Sequence, residues 1–316
     1  MTKKIIIDTD PGIDDALAIV FAAHHPDIDL LGLTCVFGNV PVTLATENAL
    51  RLVELIDQDI PVCSGAAKPL LITPHAHPDF VHGKNGFGEV ESPAPTRRAL
   101  SSSSAEFIVQ QVRAAPGEVY LVPIGPLTNI ALALQMAPDI AKKTAGVILM
   151  GGAAIEPGNV TPVAEANIWN DPHAAEVVFA ADWPVTMVGL DATHKTTLDQ
   201  AFFDQAESSA PRQGKFLNQI HQFYLDFYAT KFNERTCAAH DALAVLTVVA
   251  EELLTFETGA IAVSCEGVAT GQTLFAPAGK YDHDAFWSNR PKHRVAMGVD
   301  APAIKALFLE TLKNAS

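Results

Sequence analysis

The chain has 316 residues, 48% of them hydrophobic and 18% charged, with a formal net charge of -15. That composition describes a soluble globular chain with ample core. Its acidity and the lack of any basic run exclude a surface built for nucleic acid or an anionic membrane. No stretch approaches the roughly 18 unbroken apolar residues of a membrane span. Met1-Thr-Lys-Lys leads straight into the first apolar run without a leader-like segment, so a cytoplasmic location is expected. Cys35, Cys63, Cys237 and Cys265 form no C-x-x-C pair and no zinc spacing, and are expected to be reduced and mostly buried.

Ile5, Ile6 and Ile7 read as a buried strand of a parallel sheet. Pro11-Gly12 then imposes a turn, and a helix over residues 16–23 follows. Asp8, Asp10, Asp14 and Asp15 therefore crowd one strand-to-helix turn, at the carboxyl edge where open α/β sheets bind ligands. Helix capping accounts for one or two of them. Four carboxylates within eight positions repel one another unless a cation sits among them, and a hard divalent ion with oxygen ligands meets that need.

Residues 29–37 read as a second strand ending at Gly38-Asn39-Val40-Pro41, where Asn39 is either a turn residue or a group facing the same cleft. A helix over residues 42–56 and a short strand over 60–63 come next. Residues 64–100 are irregular, which makes them a functional lid or a disordered segment. They hold His82-Gly-Lys-Asn-Gly-Phe-Gly88; His75 and His77 read as exposed polar residues, while His82 stays open. A helix (103–113), a strand (119–125), a helix opened by Pro126, and a strand (146–152) closed by a glycine pair follow. A polar stretch with Asn159, Glu165, Asn167 and Asn170 precedes a helix (172–181) and a strand (184–190).

Farther on, a helix over 216–230 places Tyr224 and Tyr228 on one face, an arrangement that ordinary packing also explains. His240-Asp241 opens another apolar helix and adds a carboxylate. Strands over 260–265, 272–276 and 294–299 and a helix from 301 complete the chain. The alternation predicts an α/β fold: one domain over residues 1–316, with an open, mostly parallel, doubly wound (Rossmann-like) sheet flanked by helices and a more helical C-terminal part.

Taken in order, D-T-D-P-G-I-D-D (8–15), F-G-N (37–39), H-G-K-N-G (82–86), P-I-G-P-L-T-N (123–129), M-G-G (150–152), G-N-x-T-P-x-A-E-x-N (158–167) and H-D (240–241) resemble the inosine-uridine nucleoside hydrolases. The resemblance spans Ile5 to about Leu246. It implies calcium-dependent hydrolysis of the N-glycosidic bond of ribonucleosides to ribose and free base, for nucleoside salvage, by a homodimer or homotetramer. The reaction it implies uses a metal-activated water and an oxocarbenium-like transition state. Residue by residue, it implies Asp10, Asp15 and Asp241 as carboxylate ligands of Ca²⁺, joined by the main-chain carbonyl of Ile124. Many relatives have Thr at that position, a departure that a main-chain ligand tolerates.

Asp10 would also accept the water's proton, since a carboxylate has two oxygens. Asp14, Asn39 and Asn167 are implied to hold the ribose 2′- and 3′-hydroxyls, and Asn159 with Glu165 the 5′-hydroxyl. His240 is implied to protonate the leaving base, with His82, Tyr224 and Tyr228 over that base. None of Trp169, Trp183 and Trp287 falls in segments 75–90 or 222–240, which points to the inosine-uridine or broad group rather than a strictly purine one. Asp8 is left with a supporting role that the resemblance does not define.

Two other functions share parts of the pattern. A haloacid-dehalogenase-type Mg²⁺ phosphatase also opens with a strand and Asp-x-Asp, making Asp8 its nucleophile. Gly12 stands where that motif wants Thr or Val, and Asp199 to Asp204 lacks the preceding apolar strand and glycine. A non-catalytic nucleoside or ribose binder on the same scaffold is disfavoured because no implied ligand or acid is replaced by an inert residue.

Overall fold

A computed structural model describes residues 2–232 and 234–315; residue 233, in the 222–240 segment expected to contact the base, lies outside them. Its strands are β1 (Lys3–Thr9), β2 (Ile28–Cys35), β3 (Val62–Ser64), β4 (Val119–Pro123), β5 (Gly146–Met150), β6 (Val185–Val188), β7 (Thr197–Asp199), β8 (Thr236–Ala238), β9 (Leu254–Val263), β10 (Thr273–Pro277) and β11 (Lys292–Val299). Nine of them form one sheet in the order β10-β9-β11-β6-β5-β4-β1-β2-β3, and β7 pairs with β8 apart from it. Among its described strands only β9 runs against the rest, antiparallel to both β10 and β11.

The isoleucine run shows why β1 is central. Ile5 and Ile7 enter one hydrophobic cluster and Ile6 the other, as the two-residue side-chain period demands of a strand covered on both faces. Each such fully buried side chain contributes about 1.5–3 kcal/mol. The Ile13–His24, Val42–Ile56, Gln213–Phe232 and His240–Thr247 helices pack on the first face. Those over Ser104–Ala114, Thr128–Met136 and Pro172–Ala180 pack on the second. β1 lies between β4 and β2, so the order reverses there and the connections after β1 and β4 part to opposite faces. The crevice of an open α/β sheet forms at this reversal. It places the Asp10 turn beside Ile124.

Several elements differ from expectation. The first helix starts at Ile13, so Asp14 and Asp15 lie inside its first turn rather than before it. β9 is ten residues long, and its first half is largely exposed, which hid the strand's apolar signature. The Gln200–Ser209 helix and the β7–β8 pair were not anticipated; the helix is capped by Asp199, whose carboxylate accepts from Phe202 N–H. His75 and His77 are half-buried rather than exposed. The His75 ring stacks on Trp169 with centroids 3.4 Å apart, and His77 Nδ1 lies 2.8 Å from Gly38 O. No helix among the described residues is long and apolar enough to cross a membrane.

Candidate active site

Four carboxylates meet at the crevice: Asp10, Asp14, Asp15 and Asp241 are each at most 7% exposed. Asp15 closes the turn. Its Oδ1 accepts from Thr9 Oγ1 (2.5 Å) and Asp10 N–H (3.3 Å), and its Oδ2 from Gly12 N–H (2.9 Å) and Asn39 Nδ2 (3.1 Å). Asp10 Oδ2 accepts from Asn39 N–H at 2.6 Å, while Asp10 Oδ1 has no hydrogen-bond partner among the described residues. This carboxylate fits only because its neighbours are glycines: a Cβ on Gly38 would stand 1.9 Å from Oδ2, and one on Gly125 2.4 Å from Oδ1. Asp14 Oδ1 is likewise without a donor. Asp14, Asp15 and Asp241 each offer an oxygen within 4.8 Å of the others. In that tight group Asp14 stands where the sequence led us to expect Asp10, whose carboxylate lies alongside.

Burial raises all four acids, with mutual repulsion adding to it at Asp10, Asp15 and Asp241. Asp14 and Asp15 reach about 6. A histidine stands beside them, His82, with Nδ1 3.8 Å from Asp14 Oδ1. Burial depresses the His82 pKa to about 4, so it brings no charge at neutral pH. Among the described residues, buried carboxylates with two unpartnered oxygens and no ion pair to Lys or Arg make an all-oxygen donor set that fits a hard divalent cation. The main chain of Ile124 is fixed at the same place, its N–H donating to Asp8 O (2.8 Å) and its carbonyl accepting from Asn167 Nδ2 (3.0 Å).

Most of the other expected residues are tied to this centre by direct contacts, and Asn159 is not. Asn39 turns its amide inward to Asp15, so it serves the cleft as well as the turn. Glu165 is buried and caps the Ala166–Asn170 helix, accepting from Gly152, Asn167 and Ile168 N–H; burial lifts its carboxyl to about 7. Asn159 is exposed, and its Oδ1 accepts from Ala166 N–H rather than meeting Glu165. His82 Nδ1 accepts from Ile13 N–H (3.2 Å), and a Cβ on Gly12 would stand 2.6 Å from that nitrogen. Tyr224, Tyr228 and His240 form a line of contacts: Tyr224 OH donates to Asp14 Oδ2 (3.4 Å), the tyrosine hydroxyls are 3.4 Å apart, and Tyr228 OH is 3.1 Å from His240 Nε2. Burial is the main reason that the His240 pKa falls to about 3.

Several supporting contacts could not be read from the sequence. Asp8 Oδ1 accepts from Thr34 Oγ1 (2.6 Å) and Asn129 Nδ2 (2.8 Å), which ties β1 to β2 and to the helix after β4. Asn48 donates to both Pro11 O (3.1 Å) and Asn85 O (2.9 Å), fastening the aspartate turn to the loop behind His82. Asp191 accepts three backbone N–H bonds from Ala154, Ile155 and Glu156. Thr193 Oγ1 lies 2.9 Å from His240 Nδ1. A cavity of about 620 Å³ lined by His24, Asp57, Arg212 and Gln213 shares no residue with this centre.

Relatives share this arrangement of chain along nearly its whole length. The chain is 40% identical over 313 residues to a protein named probable uridine nucleosidase 2 from Arabidopsis thaliana, covering 98% of this chain and 97% of that one. A solved plant nucleoside hydrolase, the PpNRh1 enzyme, superposes with a TM-score of 0.94 at 37% identity, covering 99% of each chain. The purine-preferring ribonucleoside hydrolase from Gardnerella vaginalis does so with a TM-score of 0.92 at 35% identity, again over 99% of each. These similarities set aside the phosphatase alternative. With residues 5–306 matched by the profile of the inosine-uridine preferring nucleoside hydrolases, the chain belongs to that family of enzymes.

Proposed function

We propose that this enzyme is a calcium-dependent ribonucleoside hydrolase of nucleoside salvage, with one catalytic domain over residues 1–316. The observation that carries the reading is the convergence of Asp14, Asp15 and Asp241 beside Asp10, with unpartnered buried oxygens and His240 nearby. Asp10, Asp15, Asp241 and the Ile124 carbonyl would hold the cation, with Asp14 at its edge toward the ribose. A bound Ca²⁺ would make a water easier to deprotonate and gather the sugar hydroxyls in a flexible oxygen shell. Asp10 Oδ1, free of donors, accepts the proton of the attacking water. Asp14, Asn39 and Asn167 grip the 2′- and 3′-hydroxyls, while Glu165 and Asn159 take the 5′-hydroxyl.

As the C1′–N bond breaks, its electron pair leaves with the base, and positive charge grows on the ribose among the carboxylates that stabilise it. His240, neutral at the outset, aims its Nε2–H at the departing base and protonates it as the ring regains a proton from solvent; His82, Tyr224 and Tyr228 cover that base. Because these side chains are nearly all buried, the 79–88 segment and the Gln213–Phe232 helix must part to admit a nucleoside. Gly83, Gly86 and Gly88 all adopt positive φ in that segment, a conformation glycine takes without strain.

The names of the relatives divide between uridine and purine nucleosides, which supports a broad base range here. Four free thiols, three of them buried, support a reducing, cytoplasmic setting. Exposed Leu71, Phe80 and Ile155 offer apolar surface for a homodimer or homotetramer. The test is release of reducing sugar from inosine, adenosine, uridine and cytidine, before and after prolonged chelation. Ribose from at least inosine and uridine, lost on chelation and restored by Ca²⁺, is expected; no ribose from any of the four would sink the reading.

A further inference from the structure

We propose that Thr193 is a positioning residue that fixes His240 as its Nε2–H tautomer, the form that presents a hydrogen to the departing base. This rests on the hydrolysis proposed above and goes beyond it by naming the group that sets the state of the imidazole.

A chain of contacts runs from His240 to an acceptor end at Asp14. A carboxylate only accepts, and Tyr224 OH donates to Asp14 Oδ2. The single hydroxyl hydrogen of Tyr224 is thereby used, so in the 3.4 Å contact between the tyrosine hydroxyls the hydrogen comes from Tyr228. That uses the hydrogen of Tyr228 in turn. With one hydrogen in each contact of this chain, the 3.1 Å contact between Tyr228 OH and His240 Nε2 carries its hydrogen on the nitrogen.

The other side of the ring gives the same answer independently. His240 Nδ1 lies 2.9 Å from Thr193 Oγ1. Thr193 is 0% exposed, and among the described residues this ring nitrogen is the one hydrogen-bond partner of its hydroxyl. A buried hydroxyl hydrogen with no acceptor is costly, so it points at Nδ1 and leaves that nitrogen unprotonated. Five groups thus make one directional chain, Thr193 to His240 to Tyr228 to Tyr224 to Asp14. The tyrosine contacts at 3.4 Å are its loose end, and the two contacts of the imidazole its tight one.

Thr193 is itself well placed to impose this. It ends the Leu190–Thr193 helical turn that follows β6, with its N–H on Gly189 O at 3.1 Å. His240 opens the His240–Thr247 helix just before Asp241. The imidazole is therefore oriented from an element other than its own, and the tautomer of a histidine follows from the bond its second nitrogen makes.

The test combines ring nitrogen NMR with kinetics. In the wild-type protein, long-range ¹H–¹⁵N spectra should show His240 protonated at Nε2, its signals assigned by their absence from His240→Ala. In Thr193→Val, which keeps the shape but has no hydroxyl, that signature should be lost. The variant's kcat/KM on inosine and uridine should fall about 10- to 100-fold more than on a nitrophenyl riboside, whose leaving group needs no help. Thr193→Ser should restore both the signature and the rate. A wild-type ring protonated at Nδ1 would overturn the inference even if Thr193→Val failed to fold. Equal losses on natural and activated substrates would also overturn it, since a merely structural threonine gives that result. If the wild type released no ribose at all, the hydrolase reading would fall, while the NMR signature would still decide the tautomer.

Discussion

Asp241→Asn should lower kcat/KM by about 10³-fold, equivalent to about 4 kcal/mol of transition-state stabilisation, yet leave the cation-free protein more stable than the cation-free wild type. Both effects come from one cause. Asp241 is buried with its pKa pushed well above the ordinary carboxylate range, first by desolvation and then by Asp14, Asp15, Asp10 and Glu165. Without a cation these groups pay for their crowding; an amide keeps the shape, removes one charge and gives its neighbours a donor. Relief of one or two pKa units among them is worth about 1–3 kcal/mol.

The sign with pH follows from the same shifts. Asp14 and Asp15 rise from 3.8 to about 6 on folding, so as pH increases the unfolded chain loses its protons first. The cation-free wild type is therefore most stable below pH 3.8 as far as these groups decide, and loses stability as pH climbs through about 6. The advantage of Asp241→Asn should be full at pH 8 and small near pH 4. Calcium should raise the Tm of the wild type strongly at pH 8 and that of the variant little, because binding to the native state alone is what stabilises. Thermal unfolding in chelator and in calcium, at both pH values, checks this. A variant less stable than wild type in chelator at pH 8 would show that the cluster is not repulsive.

How much of this was legible in the chain depends on the distance over which each role is set. The Ile5–Ile7 run and the aspartates after it are local, and both the central strand and the acidic turn could be read from them. Asn39 was undecided in sequence because its turn and its contact with Asp15, 24 residues away, use the same residue. Asp8 was opaque for a stronger reason: its partners Thr34 and Asn129 are 26 and 121 positions distant, and although Asn129 closes the P-I-G-P-L-T-N block, nothing in the chain pairs either of them with Asp8. Thr193 was invisible, since a threonine in a short turn carries no pattern until the fold brings it beside His240, 47 residues on. The half-exposed start of β9 and the stacking of His75 on Trp169 were hidden likewise, by sheet-edge exposure and by the path of an irregular loop.

The second large effect is expected at His240 itself. His240→Ala should slow inosine and uridine by about 10²–10⁴-fold while slowing a nitrophenyl riboside far less. A purine or pyrimidine anion is a poor leaving group, so the barrier depends on a hydrogen delivered to it as the bond to C1′ breaks; nitrophenolate departs without one. His240 is the group suited to that delivery, because it is 4% exposed, held on both nitrogens, and one residue from Asp241. The carboxylates and the ribose contacts are untouched by the substitution, so ribose affinity and cation affinity should both survive it. The outcome separates two uses of the same pocket: a histidine that only packs over the base would slow both substrates alike, through binding. A donor slows only the one whose base must be helped away, and does so in kcat.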